Sequence, residues 1–461
     1  MADSPNQQGR GHFASRLGFV LAAAGSAVGL GNLWKFPYIT GMNGGGAFVL
    51  IYLACIALVG LPIMLAEVLL GRMSSSSVVG TFRKIEGRPT PFSAVGWLGV
   101  VAGVVILSYY SVVAGWSLHY LRLTLAGDLA HGDADAFGAA FGALYADGAT
   151  NLIWHVLFMA ITAVIVLGGV QKGVERASRV MMPTLFIILG AMLLYATTLD
   201  GFGRAFDFVF GFHTGALTPA GVLEALGHSF FTLSLGMGAM LTYGSYLSRR
   251  DDIVAASLAT SVLDTLVALM ACLVLFPITF SAGMEPSKGP GLVFINMPLA
   301  FSQLPGGMVW SALFFILLFF AALTSAISLL EVAAAFLIDE RRWSRRRAVL
   351  TMAGVILVLG VPSALSGSDN ALFGNQVHWI GERNWFDSFD YLASNWMLPL
   401  GGLGIAGFTA WRLGDPARRA AFAEGSRLGA LTGVYLVWLQ ILRYLVPIAI
   451  VLVMLHALGV L

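Results

Sequence analysis

Two apolar stretches of the sequence carry polar side chains beside clustered glycines. The first reads GFVLAAAGSAVGLGNLWKFPY and contains Ser26 and Asn32; the second reads HSFFTLSLGMGAMLTYGSY and contains Thr232 and Ser234. Their hydroxyl and amide oxygens are hard ligands of the kind that cations such as sodium accept. Glycine costs about 1 kcal/mol in a helix interior relative to alanine, so both stretches predict interrupted helices. Tight glycine packing between continuous helices is the alternative.

A third stretch, FFAALTSAISLLE, contains small and polar residues at helical spacing. Ala321, Thr324, Ser325 and Ser328 fall at i, i+3, i+4 and i+7. This spacing places them on one face of a helix. The face either supplies further oxygen ligands or packs closely against a neighbouring helix.

The composition places these stretches in a membrane. Of 461 residues, 58% are hydrophobic and 11% are charged, whereas soluble domains carry roughly 25% charged residues. The net charge of +2 argues against nucleic acid as a partner. Cys55 and Cys272 lie in apolar runs and form no disulfide framework or metal motif. We therefore predict an all-α polytopic membrane protein that contacts the lipid bilayer.

Eleven stretches are apolar enough for the roughly 20 residues that a spanning helix needs. A polar tail at 1–13 precedes them, without a cleavable signal peptide. Spans 1 to 11 are predicted at 14–38, 45–70, 94–125, 152–170, 177–198, 226–247, 252–282, 307–339, 346–366, 389–411 and 428–458. The segment 283–306 is expected to be a long loop with glycine, proline and a short amphipathic stretch.

Basic residues predict the orientation of the chain. With a cytoplasmic N-terminus, 20 of the 26 lysines and arginines fall in cytoplasmic segments. The positive-inside rule therefore places the N-terminus in the cytoplasm and, with eleven spans, the C-terminus outside. We expect a multi-pass protein of the cell (inner or plasma) membrane.

The two interrupted spans, 1 and 6, are five spans apart. Interrupted helices at corresponding positions of two halves indicate an inverted-repeat transporter with a binding site at the bilayer midplane. The freed backbone groups of such helices need ions or substrate as partners.

Four sequence stretches resemble the neurotransmitter:sodium symporter family, and in particular its bacterial amino-acid transporters. They are Arg16–Phe48, Lys172–Phe186, His228–Tyr246 and Phe319–Glu331, which resemble the family's first helix, the loop into its fifth, its sixth helix and its eighth. The resemblance implies a LeuT-type 5+5 inverted repeat with broken helices 1 and 6. The repeats would be 14–198 and 226–411, and 428–458 would add an eleventh transmembrane helix.

The resemblance also implies two sodium sites. The first would use Asn32, Thr232, Asp264 and the Ala27 carbonyl. The second would use Thr324, Ser325 and the carbonyls of Gly25, Val28 and Ala321.

By the same resemblance, a substrate carboxylate would bind Tyr110 and the backbone near Leu30 and Gly31. Gly29 stands where monoamine members carry an aspartate, which indicates a substrate with its own carboxylate. The uncharged pocket favours a neutral, hydrophobic amino acid, and the Gly-Met-Gly sequence resembles bacterial members that accept large or aromatic ones. The predicted substrate-binding residues are Ser26, Ala27, Gly29, Leu30, Gly31, Ile106, Tyr110, Val113, Phe231, Thr232, Ser234, Met237, Ser325 and Leu329, with Phe231 as a lid.

Asp264 departs from the family, which usually has asparagine there. Chloride-dependent members bind an anion nearby, and many bacterial members place a glutamate one turn later, at Ala268 in this chain. We expect Asp264 to supply that negative charge, so that two sodium ions and no chloride are needed. His228 lies within expected reach of Asp264, either as a proton-coupled switch or as an ordinary hydrogen-bonded histidine.

Other charges fit supporting roles that the resemblance implies. Lys35 with Asp390, and Arg10 with Asp339, match the external and cytoplasmic gates; both pairs are otherwise ordinary interfacial charges. Glu67 would hydrogen-bond the unwound part of span 6. Glu331 either lines the cytoplasmic exit or packs between helices with a protonated carboxyl. Arg443, inside span 11, has no assigned role.

These features favour a sodium-coupled symporter that imports amino acids by alternating access. The alternative is an amino-acid sensor or receptor with the same fold that does not transport. A channel would need a continuous polar pore, and the sequence does not indicate one. An enzyme would need a reactive set of side chains, and no such motif is present in the sequence.

Overall fold

The computed structural model describes residues 11–212, 217–285 and 291–460 of the chain. Helices are the regular elements of these residues, apart from one isolated bridge between Ile380 and Arg383. The all-helical prediction is therefore confirmed. Within the spans, the helices are Arg16–Ala27, Gly31–Lys35 and Phe36–Met42 in span 1; Gly46–Cys55, Ile56–Gly60 and Leu61–Ser74 in span 2; Ser93–Ala126 in span 3; Gly148–Leu167 in span 4; Val170–Glu175 and Arg176–Ala196 in span 5; Pro219–Thr232 and Ala239–Gly244 in span 6; Ile253–Ser281 in span 7; Gly307–Arg341 in span 8; Arg345–Leu365 in span 9; Trp385–Leu392, Ala393–Met397, Leu398–Gly407 and Phe408–Arg412 in span 10; and Thr432–Gln440, Ile441–Leu445 and Val446–Ala457 in span 11.

Most of the predicted spans meet a test of length and hydropathy. In the described residues, eight helices are long and apolar enough to cross a membrane, and the bent helix pair of span 1 makes a ninth. Spans 6 and 10 are not among the nine; span 6 is split into two short helices. The chain is thus a multi-pass membrane protein, and the count of eleven spans stays a prediction.

Short helices occupy several of the connections between spans. They are Val78–Glu86, Ala134–Ala146, Phe202–Phe210 and Asp415–Ala423. The expectation of a loop at 283–306 was wrong in its second half, where Leu292–Asn296 and Met297–Ser302 form a short apolar helix. Its interior side chains, such as Phe294 and Phe301, are buried, and this burial stabilises a helix too short to span a membrane.

Widened helical turns recur beside prolines. Seven segments of the described residues have π-helical turns, and five of them continue without a gap into a helix that carries proline as its second residue. In span 1, for example, the Phe36 N–H donates to the Gly31 carbonyl, five residues back, and Pro37 follows. Proline lacks an N–H and its ring clashes with the carbonyl four residues earlier, so a wider turn relieves the clash.

Side-chain caps begin many of the spans. The Ser15 hydroxyl accepts a 3.0 Å hydrogen bond from the Gly18 N–H at the start of span 1. Thr218, Asp252 and Asn384 cap spans 6, 7 and 10 in the same way. Serine, threonine, aspartate and asparagine satisfy the otherwise unpaired N–H groups of a first helical turn. These caps determine where each helix begins relative to the breaks inside it.

Two arginines satisfy the carbonyls at the end of span 10. Arg418 is 1% exposed and donates to the carbonyls of Thr409, Ala410 and Leu413. Arg443 of span 11 donates from Nε to the Ala410 carbonyl at 3.2 Å. Arg443, which had no role at the level of sequence, therefore contributes to capping a helix C-terminus, where positive charge is favourable.

Glycines permit close backbone contacts around the unwound part of span 6. A Cβ on Gly401 of span 10 would lie 2.0 Å from the Gly236 carbonyl oxygen. A Cβ on Gly71 of span 2 would lie 2.0 Å from the Leu241 carbonyl oxygen. At these two glycines, spans 2 and 10 therefore approach span 6 more closely than would be possible if the position carried a side chain.

Gly401→Ala should lower the thermal midpoint of the purified protein by several degrees, because overpacking costs about 1–3 kcal/mol. The matched control is Gly354→Ala in span 9, where an added Cβ meets nothing within 4 Å. Thermal unfolding followed by tryptophan fluorescence measures both. Equal midpoints for Gly401→Ala and the control would show that the close contact is unimportant.

Candidate functional site

The break in span 1 exposes backbone groups to the interior of the protein. The first helix ends at Ala27, Val28 has an extended backbone, and the two halves are bent by 51°. The Leu30 N–H donates to the Tyr110 hydroxyl of span 3 at 3.2 Å. Span 1 is therefore interrupted as predicted, and Tyr110 lies against the interruption.

Span 6 is unwound between Thr232 and Ala239. Ser234, Gly236 and Gly238 have φ angles of 54°, 80° and 76°. Glycine adopts this left-handed backbone readily, whereas Ser234 is an uncommon non-glycine case. The Glu67 carboxylate of span 2 accepts hydrogen bonds from the N–H groups of Gly236, at 2.7 Å, and Leu241, at 3.3 Å. The predicted contact of Glu67 with the unwound segment is present.

The four residues of the first predicted sodium site lie together. The Asn32 side-chain amide donates to the Thr232 hydroxyl at 3.1 Å and to Asp264 Oδ1 at 2.8 Å. The Thr232 hydroxyl donates to the same carboxylate at 3.1 Å. Ala27 and Thr232 line one cavity. The structure thus brings oxygen atoms from spans 1, 6 and 7 to one place.

The burial and the ion-pair partners of Asp264 show whether a sodium ion fits this cluster. Asp264 is 0% exposed, and within the described residues it forms no ion pair with lysine, arginine or histidine. A buried charge is costly unless it is paired or coordinates a metal ion. The cluster therefore fits a monovalent cation, which Asn32, Thr232 and Asp264 would hold.

The residues of the second predicted sodium site also meet. The Ser325 hydroxyl of span 8 lies within 3.1 Å of the Ser26 and Val28 carbonyls and 3.5 Å from the Gly25 carbonyl. The Thr324 hydroxyl donates to the Ala321 carbonyl at 3.0 Å. The face of small residues on span 8 therefore lies against the break in span 1 and supplies oxygen atoms there.

A small cavity of about 30 Å³ lies between these two clusters. All of the predicted substrate-binding residues line it except Val113. Val113 instead lines a vestibule of about 390 Å³, which shares Leu30, Gly31, Tyr110 and Phe231 with the small cavity. The role of Val113 in substrate binding stays a prediction.

Phe231 separates the vestibule from the small cavity, beside the predicted external gate. Lys35 Nζ lies 3.8 Å from Asp390 Oδ2 and 4.8 Å from the centre of the Phe231 ring. Tyr109 and Ser394 each donate a 3.0 Å hydrogen bond to Asp390 Oδ1. A lysine head group near both a carboxylate and an aromatic face forms an ion pair and a cation–π contact.

On the predicted cytoplasmic side, Glu331 is fully buried and pairs with Arg345. Arg345 donates to both carboxylate oxygens of Glu331, and the Tyr246 hydroxyl donates to Oε1 at 2.7 Å. Arg345 Nε also donates to the Val166 carbonyl at the end of span 4. Glu331 therefore packs between helices beside a cationic partner. Arg345, one of the 20 basic residues that the sequence places in cytoplasmic segments, connects spans 4, 8 and 9 directly and span 6 through Glu331.

The other predicted pair on this side is only partly described. Arg10 lies outside the described residues, whereas Asp339 lies near the end of span 8. The start of span 1 is held by Glu175, which accepts a 2.8 Å hydrogen bond from the Ala14 N–H. A Cβ on Gly18 would lie 1.9 Å from the Glu175 carboxylate, so spans 1 and 5 pack closely here.

His228, which was expected within reach of Asp264, forms no hydrogen bond with it. Its ring nitrogens are buried and have no hydrogen-bond partner among the described residues. The ring lies 5.9 Å from Phe36, 5.7 Å from Tyr52 and 6.4 Å from Phe231, measured between ring centroids. His228 is therefore an aromatic packing residue behind the Phe231 lid, which differs from the hydrogen-bonded histidine that we expected.

Comparisons with known proteins agree with this geometry. The family model described as "Sodium:neurotransmitter symporter family" matches residues 10–137 and 145–370. The chain is 38% identical to an uncharacterized sodium-dependent transporter, YhdH, of Bacillus subtilis, over 97% of this chain and 98% of that protein. It is 31% identical to an uncharacterized sodium-dependent transporter of Haemophilus influenzae, with the same coverage. It also resembles the crystal structure of MhsT in complex with L-phenylalanine, with a TM-score of 0.88, 44% identity, and coverage of 97% of this chain and 100% of that chain.

The chain belongs to the sodium:neurotransmitter symporter family. It is a sodium-dependent transporter of the bacterial branch with the LeuT-type fold, and it is not an enzyme. The resemblance drawn from the sequence is thereby confirmed at the level of family and fold.

Glu67→Gln should lower the thermal midpoint and weaken sodium-dependent amino-acid binding. Glutamine offers one acceptor and one NH₂ group, so one of the two N–H donors, Gly236 or Leu241, would face another donor. A buried donor left without an acceptor costs about 1–3 kcal/mol. The control is Glu86→Gln, which alters an exposed pair with Arg412. Unchanged stability and binding in Glu67→Gln would contradict the supporting role.

Proposed function

We propose that the chain imports a neutral, hydrophobic L-amino acid together with sodium by alternating access. The observation that carries the proposal is the arrangement of the small cavity. At one end it offers the Tyr110 hydroxyl and the span 1 backbone, next to the Asn32, Thr232 and Asp264 cluster. Its remaining wall contains the apolar side chains of Ile106, Met237 and Leu329, and none of the described residues that line it is charged.

Gly29 supports a substrate that carries its own carboxylate. A Cβ at this position would lie 2.6 Å from the Ser325 hydroxyl and 2.9 Å from the Tyr110 hydroxyl. The space beside these hydroxyl groups is thus available only because Gly29 has no side chain. A carboxylate placed there could accept hydrogen bonds from Tyr110 and from the backbone and could contribute an oxygen to the first sodium site.

The size of the cavity indicates how a large side chain would be accommodated. A volume of about 30 Å³ is far below the roughly 300–1,000 Å³ of typical small-molecule pockets. Substrate binding therefore requires movement of flexible wall residues, and Met237 and the Phe231 ring are suited to this. The similar transporter MhsT was crystallised in complex with L-phenylalanine, which supports a large hydrophobic or aromatic substrate for this chain as well.

Two ion pairs, one on either side of the central site, suit alternating access. Lys35 and Asp390, the predicted external gate, lie beside Phe231, whereas Glu331 and Arg345, a pair distinct from the predicted cytoplasmic gate of Arg10 and Asp339, lie with Tyr246 on the side that carries most of the basic residues. We place that side in the cytoplasm. The halves 14–198 and 226–411 would move relative to each other around the central site, with two sodium ions stabilising the substrate-bound state.

Uptake of labelled phenylalanine into proteoliposomes should depend on an imposed inward sodium gradient. Collapse of the gradient with a sodium ionophore should abolish accumulation, because no other driving force would remain. Binding without accumulation would favour the sensor or receptor. Accumulation that ignores the sodium gradient would rule out sodium coupling.

Asp264 should make transport independent of chloride. Uptake by the wild type should be unchanged when gluconate replaces chloride, because the buried carboxylate supplies the negative charge beside the first sodium site. Asp264→Asn should require more sodium for half-maximal uptake. The control is Asp252→Asn at the cap of the same span, where asparagine caps as well as aspartate. Strong chloride dependence of the wild type would end this proposal.

A further inference from the structure

Serine hydroxyls form part of the wall of the small cavity. Ser26, Ser234 and Ser325 line it, and Ser328 lies directly behind Ser26. The Ser26 and Ser328 side chains are each 1% exposed, and their hydroxyl oxygens are 2.7 Å apart. A hydroxyl has one proton to donate and two lone pairs that accept, so the direction of these hydrogen bonds decides what the wall offers to a ligand.

The direction of the Ser26–Ser328 hydrogen bond follows from the next hydrogen bond in the chain, in which Ser328 meets a carbonyl oxygen. The Ser328 hydroxyl lies 2.7 Å from the Ser325 carbonyl, and a carbonyl oxygen can only accept. Ser328 therefore donates to Ser325, and Ser26 must donate to Ser328. The Ser26 proton is thus directed out of the cavity, while a lone pair on its oxygen remains for a ligand.

The other serine and threonine hydroxyls of the wall also donate their protons to the protein, whereas the Tyr110 hydroxyl accepts from Leu30 and keeps its proton for the substrate carboxylate. Ser234 donates to the Ser26 carbonyl at 2.8 Å, and Ser325 donates to the Ser26 and Val28 carbonyls. Thr232 donates to Asp264. The polar side of the cavity can therefore accept hydrogen bonds from a substrate side chain but has few protons to donate to one.

We propose that this wall selects amino acids whose side chains carry a hydrogen-bond donor, with Ser26 as the specificity-determining residue. A phenol O–H or an indole N–H would donate to the free lone pair of the Ser26 hydroxyl. A benzyl group gains nothing there, and a pyridyl nitrogen, which only accepts, meets another acceptor. Ser328 acts as a positioning residue that holds the Ser26 proton away from the substrate. This inference rests on the proposed transport of neutral amino acids and defines the substrate class more closely.

The test compares amino acids of similar shape but different hydrogen-bonding capacity. Sodium-dependent binding of tyrosine, tryptophan, phenylalanine and 4-pyridylalanine is measured in competition with one labelled ligand. In the wild type, tyrosine or tryptophan should bind more tightly than phenylalanine, and 4-pyridylalanine more weakly. In Ser26→Ala the preference for the donor-bearing amino acids over phenylalanine should fall about tenfold, the size of one hydrogen bond.

A second variant tests the direction of the donor chain. Ser328→Ala removes the acceptor that holds the Ser26 proton, so Ser26 can then donate into the cavity. Binding of 4-pyridylalanine relative to phenylalanine should therefore rise in Ser328→Ala, a gain that a merely structural role of Ser328 does not produce. The control is Ser108→Ala, a buried serine of span 3 that donates to the Val105 carbonyl and does not line the cavity.

Each outcome bears on one of the two proposals. If phenylalanine binds with sodium but the preferences are the same in the wild type, Ser26→Ala and Ser328→Ala, the inference about Ser26 is wrong and the proposed function stands. If the wild type binds no amino acid in the presence of sodium, the proposed function fails and the inference fails with it. Because the readout is a ratio of affinities within each variant, a uniform loss of stability does not imitate the expected change.

Discussion

Backbone groups released inside the membrane are the constraint on which the rest of this structure depends. Unwinding spans 1 and 6 leaves N–H and carbonyl groups where water is scarce, and each must find a partner. Glu67 accepts from the unwound part of span 6, Tyr110 accepts from Leu30, and Ser325 donates to carbonyls of span 1. The carbonyls near Ser325 are also suited to bind a cation. The cost of breaking two helices is thus offset by the same groups that would form the predicted ion site.

Close packing keeps these groups in position. The unwound part of span 6 lies between glycines of spans 2 and 10, where a single Cβ would collide with a backbone oxygen. Such contacts leave little freedom for the backbone to relax, which explains how Ser234 keeps a left-handed conformation. Packing and hydrogen bonding therefore act together, and a change in one would be transmitted to the other.

The sequence was informative wherever a local pattern determined a local structure. Glycines beside Asn32 and Thr232 predicted the two breaks, and the helical spacing of Thr324 and Ser325 predicted the face that meets span 1. Contacts between distant side chains carried no such signal. Arg345 follows an arginine-rich loop, and the sequence indicates only that it helps to set the orientation of the chain. In the structure it pairs with a buried glutamate. Only a general rule pointed to this pair: a buried acid such as Glu331 needs a cation, and Arg345 begins the next helix.

His228 shows why environment, more than residue type, decides a role. Its position suggested a hydrogen-bonded histidine within reach of Asp264, but the ring lies among Phe36, Tyr52 and Phe231. Packing of the lid evidently outweighs one more polar contact for the carboxylate, which already has Asn32 and Thr232 as partners. Asp264 therefore faces the predicted ion with its charge uncompensated by any basic residue that the structure describes. A carboxylate kept in that condition favours a bound cation over an additional protein partner, which links the departure at Asp264 to the coupling between sodium and substrate.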